Sequence, residues 1–385
     1  MATRPEPGHP WHQLLDAILG QRVELAAEIT RRMQQRLSVY QELPARAFER
    51  YVAMAMDCTI RLARVDPPKL SEWETQVLEQ VGEAQARLAV PVDQMLLAWR
   101  LGADVLVERG TEEAARIGLD DRQLLAFVRG TLASSDVGMI TTARAHRRAE
   151  LDRDREAQDR RASFVRAVLF GTGEPAELRA MAKGYGLDPG RRYLALRARA
   201  VAGGSWREVD RAVGLAESAR SGRGMSVLVD GDLAGFQLDP PGDADPGRAG
   251  VGPPVPLDRL AESFRLASRA LDTLEAFGTA GTRDLADLGL RPAVAADADV
   301  GAALRRRYLE PLADSGSGVE TVATLRAYLA AGSHVETAAE GLHIHPNTLR
   351  YRLSRFEELV GVSLRDPGVP FELWWAIERA AIDPP

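Results

Sequence analysis

From His343 to Gly361 the chain reads HIHPNTLRYRLSRFEELVG, and this stretch leaves few folds open to the region around it. Pro346 suits the first turn of a helix, where its missing N–H would have no partner anyway. From Asn347 onward, Leu349, Leu353, Phe356 and Val360 fall on one stripe at about 100° per residue, so that stripe has to pack on other helices. Opposite it lie Asn347, Tyr351, Ser354 and Arg355, with Thr348, Arg350 and Arg352 on the flanks. The preceding residues, 335–342, predict a shorter helix whose Ala338 and Ala339 are small enough for a second helix to cross closely. Leu342 and Ile344 anchor the short turn between them. Helix, short turn, helix with small residues at the crossing is the plan of a helix-turn-helix.

In that plan the second helix enters the major groove of double-stranded DNA and leads with its N-terminal residues. Asparagine can pair bidentately with adenine, and threonine or tyrosine can meet a thymine methyl or a phosphate. Arg350, Arg352 and Arg355 would neutralise phosphates, each with a salt-dependent contribution. No acid stands between Gly341 and Phe356, although the chain carries a net charge of −6. The competing reading is an ordinary solvated helix face. The packed stripe, the small crossing residues, the Pro-started helix and the acid-free polar face together favour DNA.

At 385 residues the chain is too long for one ordinary core, so two or three domains are expected. Its 45% hydrophobic and 27% charged residues fit a soluble globular protein. The overall acidity argues against coating nucleic acid over the whole surface, so any DNA contact must be local. Cys58 is the only cysteine, which excludes an internal disulfide and a cysteine-based zinc site. No apolar run is long enough to cross a bilayer, and MATRPEPGHPWHQLLDAILG lacks the pattern of a secretory signal. A cytoplasmic protein without membrane contact is the expectation.

Four segments follow from texture. Residues 1–140 read as an all-α domain: Leu14, Leu15, Ile18, Leu25 and Ile29 lie near one stripe, Ser71 is a cap candidate, and Met95, Trp99, Ala103 and Leu106 share a face. Residues 141–162, TTARAHRRAELDRDREAQDRRA, interleave charges at helical spacing and predict an exposed helix, either a plain surface element or a connector. Residues 163–310 predict a small α+β domain. RRYLALRARA alternates as a half-buried strand, GMSVLVDGDLAGFQL reads as a hairpin, and Leu257, Leu260, Phe264, Ala267, Leu271 and Leu274 line one side of a long helix. DPPGDADPGRAGVGPPVP, 239–256, reads as a loop. Residues 319–385 return to helix, with Gly332 as a stop and Ser333 or Thr337 as caps of the next helix. Trp99 and Trp206 read as packing residues, and at least one of Trp374 and Trp375 as core. No internal repeat is evident.

HIHPNTLRYRLSRFEELVGVSL closely resembles the C-terminal helix-turn-helix of the PucR/CdaR-type bacterial transcription regulators, whose pattern is built around H-x-N-T-L-R-Y-R-L. The resemblance covers the residues from about 320 to 382 and implies that His345, Asn347, Thr348, Arg350, Tyr351 and Arg352 belong to a DNA-reading helix. Segment 163–310, with GYGLDPGRRYLALRARA and FGTAGTRDLADLGL, resembles the central domain of that family, a degenerate relative of the GGDEF fold. RLAVPVDQMLLAWRLGADVL is similar to the helical sensor of some actinobacterial members and of stressosome RsbR-type proteins. That likeness implies a globin-like bundle that has lost its haem.

Other chemistry finds little support. The N-terminal half offers His9, His12 and His146 but no histidine from 13 to 145 where an axial haem ligand would lie, so no cofactor is expected. His343 and His345 have no cysteine or third histidine beside them, so no metal is expected. His343 suits an irregular turn conformation and His345 a cap position. GTGEPA at 171–176 follows no convincing strand and reads as the end of a helix, and no phosphate loop is possible with Lys69 and Lys183 the only lysines. The hairpin VDGDLAGF lacks the acidic run a nucleotide cyclase needs, which makes Asp230 and Asp232 turn residues and catalysis unexpected. The reading is a homo-oligomeric, sequence-specific transcription regulator whose N-terminal domain senses an unidentified ligand or protein. A stressosome-like scaffold that uses its helix-turn-helix only for assembly is the alternative.

Overall fold

A computed structural model of the chain describes residues 10–65, 67–201, 204–244, 247–313 and 318–382. They divide into two compact units, one ending at Asp159 and one starting at Arg160. The architecture is multidomain: an all-α unit, then a mixed sheet with helices, then a helical C-terminal region.

The first unit is built from α1 (Pro10–Gly20), α2 (Arg22–Arg36), α3 (Ser38–Gln41), α4 (Ala45–Leu62), α5 (Glu72–Arg87), α6 (Val92–Ile117) and α7 (Asp121–Phe170). The amphipathic run at its start is not one helix. It breaks at Gln21, whose φ of −95° and ψ of 12° leave the helical region, while its carboxamide nitrogen donates to Glu113 at 2.7 Å. The break lets Leu14, Leu15 and Ile18 on α1 and Leu25 and Ile29 on α2 all reach one core. Ser71 caps α5 as expected: its Oγ accepts from Glu74 N at 3.2 Å and the Glu74 carboxylate accepts from Ser71 N at 2.9 Å. His146 is a core residue. Its ring is fully buried, with Nε2 2.8 Å from Val90 O and Nδ1 3.5 Å from Glu150. His9 and the side chain of His12 lie outside the described residues.

Helix α7 runs through the interleaved-charge segment without a break. Thr142, Ala145 and His146 still face the first core, and every residue from 151 to 160 is exposed. Its last turns then place Phe164, Val165, Val168 and Leu169 in the core of the second unit.

That unit continues with α8 (Pro175–Gly184), β1 (Arg192–Arg199), α9 (Trp206–Val213), α10 (Leu215–Arg220), β2 (Gly224–Val229), β3 (Asp232–Gln237), β4 (Arg248–Val251), β5 (Val255–Pro256), a 3₁₀ turn (Leu257–Arg259), α11 (Leu260–Ala276) and β6 (Gly281–Arg283). The sheet order is β2-β3-β1-β4-β6, with β5 also pairing β1, and only β4 and β6 run parallel. Strand β1 is buried on both faces. Tyr193 and Ala195 join the core under α7 and α11, while Leu194, Leu196 and Ala198 join the core under α9 and α10. This corrects the half-buried reading: Tyr193 to Leu196 are buried in succession, as a strand covered on both faces requires.

Three expectations need correction here. The Pro/Gly-rich stretch 239–256 contains two strands, β4 and β5, although residues 245–246 lie outside the described residues. Glycine is needed in β4 because α11 lies directly on it: a Cβ at Gly250 would stand 1.9 Å from Ala267 O. Asp232 is not a turn residue. Asp230 (φ 51°) and Gly231 (φ 86°) make the tight hairpin turn, while Asp232 is 1% exposed and binds Arg197 at 2.8 Å and Arg199 at 2.5 Å. Trp206 also departs from its reading as a packing residue: it is 45% exposed, with the Arg207 guanidinium over its ring.

The remaining helices are α12 (Arg291–Ala296), α13 (Ala298–Tyr308), α14 (Glu310–Ala313), α15 (Gly318–Ala330), α16 (Val335–Gly341), α17 (Pro346–Val360) and α18 (Val369–Ile382). Their shared core draws in Tyr308 and Leu312 from before residue 319. Helix α18 is fastened to α12 by Arg291–Glu378 at 2.8 Å and by Arg379 donating to Val294 O and Ala295 O, each at 3.1 Å.

The contact of α11 with β4 makes a direct test. Gly250→Ala is expected to cost at least about 2 kcal/mol, because the helix backbone itself would have to move. Gly184→Ala, at a helix end where a Cβ meets nothing within 4 Å, is expected to raise stability by about 0.5 kcal/mol. Denaturant midpoints of the two variants read the contrast.

Candidate nucleic-acid interface

Helix α17 is positioned from its buried side. Leu349 and Phe356 are fully buried and Leu353 nearly so, in a core with Leu325 from α15, Ala338 and Ala339 from α16, and Leu373, Ala376 and Ile377 from α18. The two alanines let α16 cross closely, and Val360 packs at the edge. The turn closes through Ile344 N donating to Ala339 O at 3.0 Å and His343 N donating to Glu340 O at 3.1 Å. His343 takes the left-handed conformation this needs, with φ of 54°. His345 is the N-cap of α17, its Nδ1 accepting from Asn347 N at 3.1 Å. The cap of α16 is not Ser333 or Thr337. Its N-cap position is His334, and Ser333 is in the left-handed region (φ 67°) directly after Gly332.

With the stripe buried, His345, Asn347, Thr348, Arg350, Tyr351, Ser354 and Arg355 come out exposed on one side of α17, and Tyr351 is 71% exposed. The N-terminal turns of the helix and the open side therefore coincide. Arg352 differs from the rest. It is half-buried, donating to Glu320 at 2.6 Å and to Thr324 Oγ1 at 3.2 Å, so it ties α17 to α15.

The charge on this face is not bare, which corrects the acid-free reading. Arg350 binds Glu336 on α16 at 2.6 Å and Asn347 Oδ1 at 3.2 Å, and Arg355 binds Glu358 at 3.1 Å. Two of the three acids come from other helices, so inspection of the local stretch misses them. The helix-turn-helix plan itself holds the missing signal, since it lays the start of α16 beside the start of α17. Exposed pairs like these contribute about 0–1 kcal/mol and are readily exchanged for another anion.

Beside this helix, Arg307 on α13 binds Glu372 on α18 at 3.0 Å, and the Tyr308 hydroxyl donates to the same carboxylate. Burial, with Glu372 adding to it, pushes the Tyr308 phenol up to about 12. Trp374 and Trp375 are both half-buried, and the Trp375 indole N–H is enclosed without a partner among the described residues. In the first unit the Cys58 thiol is buried and pushed up to about 12, so it is not a reactive thiolate. Among the described residues no group of three or more His, Cys, Asp or Glu is arranged to hold a metal ion, and no helix is long and apolar enough to cross a membrane.

Comparison with known proteins yields two family matches. Residues 321–378 match the PucR C-terminal helix-turn-helix domain, and residues 23–161 match the N-terminal domain of the RsbT co-antagonist protein rsbRD. An uncharacterized protein of Mycobacterium tuberculosis is 38% identical over 124 residues, covering 31% of this chain and only 28% of that protein. A protein of Thermomonospora curvata is 33% identical over 138 residues, covering 36% of this chain and 76% of that protein. Among solved structures, a regulator of polyketide synthase expression from Bifidobacterium adolescentis covers 58% of this chain at 18% identity and a TM-score of 0.29.

The two sides of α17 are expected to respond differently to truncation. Phe356→Ala should cost about 3–5 kcal/mol through the lost apolar contacts and the cavity left behind. Tyr351→Ala should stay within about 0.5 kcal/mol, since its ring is mostly in solvent. Thermal unfolding of the two variants separates them.

Proposed function

The chain belongs to the PucR/CdaR-type family of bacterial regulators, and on that premise we propose that it is a sequence-specific DNA-binding transcription regulator. The observation that carries this is the exposed side of α17, where Asn347, Thr348, Arg350 and Tyr351 stand open at the start of a helix whose other side is fixed in a core. In the proposed complex α17 enters the major groove from its N-terminal end. Asn347 reads a base edge, Thr348 and Tyr351 meet a thymine methyl or a phosphate, and His345 holds the first turn in shape. Arg350 and Arg355 exchange Glu336 and Glu358 for phosphates, and Arg352 adds its charge from the flank while keeping α17 on α15.

One recognition helix makes few contacts, so the active species is a homo-oligomer that doubles them on a two-fold operator. The N-terminal helical unit, residues 1–140, acts as a sensor of a ligand or protein and shifts the population competent for DNA rather than performing chemistry. The segment 141–162 of α7 connects it onward. The central part, 163–310, is a degenerate GGDEF-like domain with no catalytic role. The engagement of Asp232 by two arginines supports that reading, because both of its oxygens already accept from guanidinium groups and the carboxylate is 1% exposed. Incubation with GTP and Mg²⁺ is expected to give no cyclic product.

A second reading, a stressosome-like scaffold, draws support from the N-terminal match and from the fact that each arginine of α17 already has an acid. Salt separates the two. Under the regulator reading, promoter fragments recovered by genome-wide capture bind less tightly as salt rises, and Arg350→Ala lowers the slope of log K against log salt by about one. Asn347→Ala is expected to relax discrimination at one base pair by about 1–3 kcal/mol while leaving the slope unchanged. Binding that ignores salt, or no captured DNA at all, favours the scaffold.

A further inference from the structure

We propose that the N-terminal unit holds a binding site for a small, uncharged, ring-sized apolar molecule that carries one hydrogen-bond acceptor, of the phenol or aryl ketone class. The site is the half-open pocket among α2, α4, α5, α6 and α7, whose free space is about 480 Å³ with the part open to solvent included. Met33, Val52, Met56 and Trp99 supply apolar walls, and no Asp, Glu, Lys, Arg or His lines it. A charged ligand would lose its hydration against these walls with no opposite charge to pair with, whereas an uncharged apolar ring would bury its surface there.

Polar side chains set the acceptor requirement. Gln85 is 6% exposed, and its Oε1 already accepts from the Tyr40 hydroxyl at 3.0 Å, so its carboxamide nitrogen has no partner among the described residues. Ser135, 7% exposed, likewise has no hydrogen-bond partner among them. Two further hydroxyls line the pocket: that of Thr59 donates to Ala55 O at 3.0 Å, and that of half-buried Tyr51 is a third group able to donate to a guest. The Gln85 carboxamide nitrogen and the Ser135 and Tyr51 hydroxyls can all donate, so the guest that satisfies them offers an oxygen acceptor. Ser135 belongs to α7, the same helix that supplies Phe164 and Val165 to the core of the second unit. This inference rests on the reading of the N-terminal unit as a sensor and names the class of ligand it takes.

Gly102 provides the means to close the cavity. It lines the wall, and a Cβ there meets only Ile29 Cγ2, at 3.9 Å, so a longer side chain extends into empty space rather than into backbone. The test is fluorine NMR on the full chain without DNA, with para-fluorophenol, fluorobenzene and para-fluorobenzoate as probes. Para-fluorophenol is expected to bind, fluorobenzene to bind more weakly, and the benzoate not to compete. Gly102→Leu should weaken para-fluorophenol by at least about tenfold, since it fills the space, while raising the thermal midpoint of the free protein. Should Gly102→Leu fail to fold, Gln85→Leu serves instead, and it is expected to erase the preference for para-fluorophenol over fluorobenzene. Absence of binding by every probe, equal binding of the benzoate, or unchanged affinity in a folded Gly102→Leu chain overturns the proposal. Because no DNA is present, failure here leaves the DNA reading standing, and failure of DNA capture leaves cavity binding standing.

Discussion

Burial of Leu349, Leu353 and Phe356 is the contact on which the C-terminal region turns. A helix has one rotational setting that satisfies an apolar stripe, and choosing it chooses what faces out. Here the setting is enforced from three directions, by α15, α16 and α18. The polar residues of α17 are therefore not placed by their own interactions. They are placed by three buried side chains, and the Arg352 tie to Glu320 adds a polar brace in the same sense. Through Arg291–Glu378 and the Arg379 contacts, α18 passes that rigidity on to α12.

How much of this was legible in the sequence depended on the range over which each element is decided. Helices decided by local periodicity and local caps, such as α5 behind Ser71 and α17 behind Pro346, could be read directly. So could the two-alanine crossing, because helix-turn-helix geometry leaves no room for larger residues there. The β4 strand could not, since its glycines look like loop punctuation until α11 is known to lie on top of them. Asp232 failed for the same reason. Beside Gly231 it has the composition of a turn, and only the register of β3 against β1 brings it opposite Arg199 and next to Arg197. The break at Gln21 has its side-chain partner, Glu113, on a helix distant in sequence.

The candidate site shows the same division. The positions that face outward followed from the stripe, and the left-handed His343 followed from the turn. The electrostatic state of the arginines did not follow, because Glu336 and Glu320 lie 14 and 32 residues away in sequence. Charge along a segment is a poor guide to charge on a surface when neighbouring helices contribute the counter-ions. The same limit applies to the first unit, where the cavity among five helices has no local signature at all.

The arginine–glutamate pairs carry a kinetic consequence for the proposed regulator. A face whose cations are matched by its own anions projects little field beyond a Debye length of about 8 Å, so it neither draws the protein toward DNA from afar nor holds it on arbitrary sequence. Its search for an operator would proceed by brief, weakly retained touches rather than by long sliding, and commitment would come only where a base pattern repays the exchange of one ion pair for another. Few molecules would then be sequestered on the rest of the chromosome, and a small number of copies would suffice to keep a site occupied.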